Sequence, residues 1–146
     1  MTRLFKYLSA YVMWLVVLGL AFWLILVTRT AYLTIFASFF KLGGWAYARR
    51  VDFADKSLML IFGLGWLVFM IVTESYFRGG VVRDDLFKRS ARVTGPLLLG
   101  TFGVDLLLLW LQGGGDWRRW LILAAELGLG IFLVLYIGAR PKPKST

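Results

Sequence analysis

Four long runs of apolar residues, separated by shorter segments that carry most of the charges, dominate the sequence. The runs cover residues 8–28, 57–77, 94–112 and 119–138. A bilayer core about 30 Å thick requires roughly 20 helical residues for one crossing, so each run is long enough to cross once. The pattern therefore predicts an all-α integral membrane protein in which residues 1–146 form a single transmembrane domain of four helices.

The segment between the first two runs, residues 30–42, shows a helical alternation of apolar and polar positions. One helical face carries the apolar residues Tyr32, Ile35, Phe36, Phe39 and Phe40. The opposite face carries Thr30, Thr34, Ala37, Ser38 and Lys41. This spacing is typical of an amphipathic helix that lies along a membrane surface. We therefore expect an interfacial helix between helices 1 and 2, with a continuation of helix 1 beyond the bilayer as the alternative.

Glycine and proline positions predict where the helices begin and end. The Gly-Gly pair at 79–80 fits a left-handed cap at the end of helix 2, and the Gly-Pro pair at 95–96 fits the start of helix 3. Three glycines at 113–115 favour a tight turn between helices 3 and 4. Asp116, which follows them, is suited to capping the N-terminus of helix 4.

Composition strengthens the membrane assignment and excludes several kinds of chemistry. The chain is 60% hydrophobic, whereas soluble domains contain about 45–50% apolar residues. It contains no His and no Cys, which excludes histidine-ligated haem or zinc, a histidine general base, a disulfide and a cysteine-ligated iron–sulfur cluster. We therefore expect a protein that is not an enzyme and that has no catalytic residue, cofactor or metal site.

The net charge of +9 is distributed along the edges of the predicted crossings, which argues against nucleic acid as a partner. Ten Lys and Arg residues fall on the side that holds both termini, including the basic tail at 141–146, and seven fall on the other. This bias predicts cytoplasmic termini in an inner (plasma) membrane of prokaryotic type. On that side we expect contacts with anionic lipid head groups from Arg83, Lys88, Arg89 and Arg92.

Three acidic residues lie within predicted crossings, where a charged carboxylate at the helix centre costs about 2.5–3.5 kcal/mol. Glu74 lies near the end of its run, four residues before Arg78, which favours an interfacial ion pair. Asp105 and Glu126 lie at equal distances from the midpoint of the turn between helices 3 and 4, so they share a similar depth. Thr101, one turn before Asp105, is placed to donate a hydrogen bond to it.

The pair formed by Asp105 and Glu126 is compatible with two functional roles and one structural role, and we expect no basic residue inside the crossings to neutralise it. The pair can form a proton or cation site, because two close carboxylates do not both ionise readily. It can also hold a quinone, lipid or pigment through a hydrogen bond. In the structural role, protonated acids join neighbouring helices or subunits.

These observations favour a non-catalytic integral membrane subunit that scaffolds or stabilises a larger complex. Its expected partners are other membrane protein subunits and anionic lipids. Small accessory subunits of respiratory or photosynthetic electron-transfer complexes are analogous in size and composition. The alternative is a small proton-coupled transporter or channel that acts as a homo-oligomer through Asp105 and Glu126.

Overall fold

In the computed structural model the chain folds into four α-helices, and the structure describes residues 3–39, 45–82 and 85–138. The helices are α1 (Arg3–Phe39), α2 (Trp45–Val82), α3 (Leu86–Leu111) and α4 (Trp117–Gly138). All four are long and apolar enough to cross a membrane. The all-α class and the four potential membrane-spanning helices predicted from the apolar runs are therefore confirmed.

The predicted interfacial helix at residues 30–42 is wrong, because α1 continues without a break through the described part of this segment. The hydroxyl of Thr34 donates to the carbonyl of Thr30 at 2.8 Å, and that of Ser38 donates to the carbonyl of Thr34 at 2.9 Å. Such bonds satisfy polar side chains within a continuous helix. No glycine or proline precedes Gly43 in this segment to end the helix.

α1 and α2 both extend past their apolar runs at the same end of the molecule. α1 has 37 residues and α2 has 38, so each is about 55 Å long, whereas a bilayer core is about 30 Å thick. At this end Arg29 donates to the carboxylate of Asp55, from Nε to Oδ1 at 2.7 Å and from Nη2 to Oδ2 at 2.6 Å. This ion pair joins the helices where their extensions begin; residues 40–44 lie outside the described residues.

Two helix boundaries predicted from glycine and proline are wrong. Gly79 and Gly80 lie within α2, which continues two residues beyond them. Because they carry no side chains, the side chain of Arg89 packs directly on this part of the helix. α3 begins ten residues before Pro96 and continues through it. A proline removes one hydrogen-bond donor, and packing against neighbouring helices maintains the helix at such a position.

The turn between α3 and α4 has the geometry that its glycines favour. Gly113 and Gly114 have φ angles of 76° and 117°, in the left-handed region. The amide of Gly113 donates to the carbonyl of Trp110 at 3.3 Å and that of Gly114 to Leu109 at 3.1 Å, as in a Schellman motif. Asp116 Oδ1 accepts a hydrogen bond from the first amide of α4 at 2.8 Å. The predicted hairpin is therefore confirmed, and we call this end of the molecule the turn end.

Three helices form a cluster, and the fourth is attached to one side of it. α1 packs against α2 and α3, α2 also contacts α3, and α4 contacts α3 alone among the described residues. Between α1 and α2, Trp14 Nε1 donates to Thr73 Oγ1 at 3.2 Å. Between α1 and α3, the Cβ position of Gly100 lies 3.6 Å from Leu24 Cδ2. The outlying position of α4 leaves most of its surface uncovered.

Glycines hold α3 and α4 close together. An atom at the Cβ position of Gly130 would lie 2.8 Å from Leu99 Cδ2, and one at Gly95 would lie 3.1 Å from Val134 Cγ2. Both glycines are buried. These contacts fix the antiparallel register of the hairpin, so depth along α3 can be compared directly with depth along α4.

Candidate functional site

Asp105 on α3 and Glu126 on α4 lie at nearly the same depth. The contact between Leu99 and Gly130 sets a register that places Asp105 opposite residue 124, about half a turn from Glu126. The two carboxyl groups are within electrostatic range of each other. The structure thus brings together the two acids that lie at equal distances from the turn in the sequence.

A cavity of about 220 Å³ lies beside Asp105, between α1, α3 and α4. Its polar and aromatic lining consists of Trp23, Thr30, Asp105, Gln112 and Arg119. Its aliphatic lining consists of Leu108, Leu109, Ile122 and Leu123. Because the backbones of α1 and α4 each pack closely on α3 but not on each other among the described residues, the cavity lies over α3 between these two helices.

The lining residues of α3 and α4 follow helical spacing from the turn end inward. Those of α3 occupy positions 105, 108, 109 and 112, and those of α4 occupy 119, 122 and 123. Glu126 continues the α4 series by one turn. Asp105 is seven residues, or about 10 Å, deeper than Gln112. The cavity therefore has hydrogen-bonding groups at two levels, with aliphatic side chains between them.

Arg119 supplies positive charge at the turn end of the cavity. Its Nη1 atom donates a hydrogen bond to Oε1 of Gln112, and its guanidinium is within electrostatic range of Asp105. Positive charge therefore reaches the acid pair from the edge of the fourth crossing rather than from inside it. Arg119 begins the fourth apolar run, and the turn brings it back over the end of α3.

Glu126 contains an unsatisfied polar atom. The residue is only partly exposed, and its Oε2 atom is buried without a hydrogen-bond partner among the described residues. A buried polar atom without a partner is unfavourable, and in a lipid environment water is not there to replace the partner. A donor at this atom, either a proton shared with a neighbouring acid or a ligand atom, would remove that penalty.

Thr101 does not act as the predicted donor to Asp105. Its side chain is buried, and its hydroxyl donates to the carbonyl of Leu97 at 2.9 Å. A hydroxyl has one proton to donate, so the bond within α3 excludes the predicted one. The physical reason is that a threonine hydroxyl reaches the carbonyl four residues earlier in its own helix with little rearrangement.

We expect replacement of Thr101 by valine to change the free energy of unfolding by less than about 1 kcal/mol, because valine has nearly the same shape and the helix keeps its backbone bonds. The measurement is an SDS titration of the purified protein followed by helical circular dichroism. A loss above about 2 kcal/mol would contradict this result, since it would require a buried partner for the hydroxyl outside its own helix.

At the opposite end of the bundle, Glu74 and Arg78 form an ion pair between Oε1 and Nε at 3.4 Å. Arg78 also donates to the phenol oxygen of Tyr11 from Nε and Nη2, at 3.2 and 3.0 Å. The pair therefore links α2 to α1 rather than standing alone on the α2 surface. The hydrogen bond from Trp14 to Thr73, which also joins α1 to α2, lies about one helical turn from Tyr11 toward the middle of the bundle.

The structure describes three of the four basic residues expected at lipid head groups, namely Lys88, Arg89 and Arg92. Arg83 lies outside the described residues. Arg89 is turned onto α2, where its Nη1 donates to the carbonyl of Tyr76 at 2.7 Å and its guanidinium lies 4.8 Å from the centre of that ring. Its predicted contact with lipid head groups stays a prediction. Arg92 donates to the Tyr76 hydroxyl at 3.4 Å, and lipid contacts of Lys88 and Arg92 stay a prediction.

The sequence analysis identified Asp105 but not the other four polar and aromatic residues of the cavity, Trp23, Thr30, Gln112 and Arg119. The spacing from Asp105 to Gln112 and from Glu126 back to Arg119 is seven residues in each case, which is a signal for one shared helical face. Trp23 and Thr30 carry no such signal, because their position depends on how α1 packs on α3.

The fold and the cavity define the class: an all-α protein with four helices able to span a membrane and a polar cavity among three of them. Comparisons with protein families, with curated proteins and with solved structures found no match to this chain.

Proposed function

We propose that this chain is a non-catalytic integral membrane subunit that assembles with other membrane chains. The supporting observation is the outlying position of α4, which contacts α3 alone among the described residues. Electron-transfer complexes are one kind of assembly in which such subunits occur. The charge bias along the sequence further favours a plasma membrane of prokaryotic type with both termini in the cytoplasm.

Small residues on the uncovered surfaces support this proposal. Ala124 and Gly128, four residues apart on α4, are exposed, and no atom lies within 4 Å of the Gly128 Cβ position. Gly63 and Gly65 are exposed and equally open on α2. The four-residue spacing of Ala124 and Gly128 allows close approach of a second helix within a bilayer, where association depends on packing rather than on apolar burial.

Native mass in mild detergent tests the proposal. We expect the chain extracted from its own membrane to co-purify with larger membrane chains, and Gly128→Ile to reduce this co-purification at least severalfold by blocking helix approach. Gly19→Ile is the matched control, because Gly19 is also exposed and open but lies on α1. Recovery of the wild-type chain alone, with no partner chain, would contradict the proposal.

A second candidate is a small proton-coupled transporter or channel that acts as a homo-oligomer. The cavity beside Asp105 and the unsatisfied Oε2 atom of Glu126 favour it. In this case the native mass corresponds to copies of this chain only. Reconstituted vesicles then accumulate a cation when a proton gradient is applied, and Asp105→Asn abolishes the uptake. Absence of any gradient-driven uptake by the wild-type protein excludes this candidate.

A further inference from the structure

We infer that the cavity between α1, α3 and α4 binds a small lipophilic cation, an amine or quaternary ammonium, with its positive group beside Asp105. The cavity combines a carboxylate, an indole and aliphatic walls, which are the groups that recognise a cation carrying hydrocarbon substituents. The cavity can bind such a cation whether the chain is a subunit of a larger complex or a transporter.

Charge is the first argument for a cation. The ionisable groups that face this region from the packed helices are Asp105 on α3 and Arg119 and Glu126 on α4, with none among the α1 lining residues. The guanidinium of Arg119 is hydrogen-bonded to Gln112, a residue that lies about 10 Å along α3 from Asp105, toward the turn end. Two acids therefore accompany one base in this region. A carboxylate left without its own positive partner at membrane depth is unfavourable, so a bound ammonium group offsets that penalty.

The aromatic and aliphatic lining is the second argument. Trp23 lines the cavity from α1, with about half of its surface exposed. An indole face attracts a cation within about 6 Å of its centre, and quaternary ammonium groups are well recognised in this way. Thr30 lies two turns from Trp23 on the same face of α1. Its hydroxyl donates to the carbonyl of Leu26, so toward the cavity it can act only as an acceptor. The aliphatic side chains between the two polar levels suit the hydrocarbon part of the ligand.

Size and access limit the ligand. A volume of 220 Å³ corresponds to roughly seven water molecules at about 30 Å³ each, which suits a single ring or a short alkyl group with its ammonium. The cavity lies over α3 between α1 and α4, whose backbones do not pack closely on each other among the described residues. A lipophilic cation therefore reaches the cavity from the surrounding lipid rather than through the packed bundle.

The test compares a cation with its neutral analogue. Benzyltrimethylammonium and the isosteric hydrocarbon neopentylbenzene are titrated against the full chain in lipid nanodiscs by calorimetry, with empty nanodiscs as the blank. We expect the cation to bind at least tenfold more tightly than the hydrocarbon. Equal affinities would overturn the inference, and this comparison requires only the wild-type protein.

Variants locate the binding. We expect Asp105→Asn to weaken binding of benzyltrimethylammonium at least tenfold, and Trp23→Leu to weaken it about threefold to thirtyfold through loss of the cation–π contact. Asp116→Asn and Trp110→Leu are matched controls that remove an exposed acid and an exposed indole outside the cavity. Equal effects of the cavity variants and their controls would show general surface binding and overturn the inference.

The ammonium group has two possible sources, a free amine and the head group of a phospholipid. The titration is therefore repeated in nanodiscs of phosphatidylglycerol alone and of phosphatidylglycerol mixed with phosphatidylethanolamine. Weaker apparent binding of the probe in the mixture assigns the site to the lipid ammonium, and unchanged binding assigns it to free amines. Because the readout is binding to the purified chain, it is independent of whether partner chains co-purify.

Discussion

Replacement of Gly130 by leucine is expected to lower the free energy of unfolding by about 3 kcal/mol, the upper part of the range for overpacking a close contact. An atom at its Cβ position would lie 2.8 Å from Leu99 Cδ2, 3.0 Å from Leu99 Cγ and 3.4 Å from Leu99 N. The last of these is a backbone atom, so rotation of the leucine side chain does not relieve the contact. α4 must therefore move away from α3, its described contact partner.

Gly128→Leu, measured on the purified chain, is the matched control for this substitution. Gly128 is on the same helix, is exposed, and has no neighbouring atom within 4 Å of its Cβ position. We expect the unfolding free energy of this variant to stay within about 0.5 kcal/mol of the wild type, as for substitutions on open surfaces. An SDS titration provides both values, and equal losses for the two leucine variants would contradict the close packing of α3 and α4.

Replacement of Phe77 by alanine is expected to lower the unfolding free energy by about 2–3 kcal/mol, somewhat less than in a water-soluble core. Phe77 is among the most buried large side chains described, at 2% exposed, and it contacts Tyr76 edge-on with ring centres 6.3 Å apart. In a bilayer the free energy of transfer from water contributes little to this loss of stability. The loss comes mainly from the van der Waals contacts that the neighbours of Phe77 no longer make once the ring is replaced by a void.

The control for Phe77→Ala is Phe53→Ala, because Phe53 is on the same helix but is 74% exposed. We expect its unfolding free energy to differ from the wild type by less than about 0.5 kcal/mol. A second test uses Phe77→Leu, which fills most of the void and should restore at least half of the lost stability. Failure of leucine to restore stability would indicate that the ring has a role other than filling space.

The number and location of the helices able to span a membrane were predictable because they depend on a property of each segment alone. A run of about 20 apolar residues satisfies its backbone polar groups only as a helix, whatever surrounds it. Helix ends were less predictable. The spacing at residues 30–42 fits an interfacial helix and an extended α1 equally well, and the continuous hydrogen bonding of α1 decides between them.

The end of α2 near Gly79 and Gly80 was likewise not predictable from the sequence. Their sequence fits a helix end, yet they remain helical, and Arg89 from α3 packs against them. The ion pair of Arg29 and Asp55 is a second example, since 26 residues separate its members. A contact between segments distant in sequence leaves no local pattern, so helix boundaries and interhelical ion pairs depend on tertiary packing.

By itself, the sequence determined that the chain is an all-α protein with four helices able to span a membrane, and that its chemistry excludes histidine and cysteine ligands. It also placed Asp105 and Glu126 at one depth, because an antiparallel hairpin converts equal spacing from a turn into equal depth. Only the tertiary structure decided that Trp23, Thr30 and Arg119 share a cavity with Asp105. The reason is geometric: hydropathy specifies that a helix crosses a membrane, whereas rotation and contact with its neighbours decide which side chains meet.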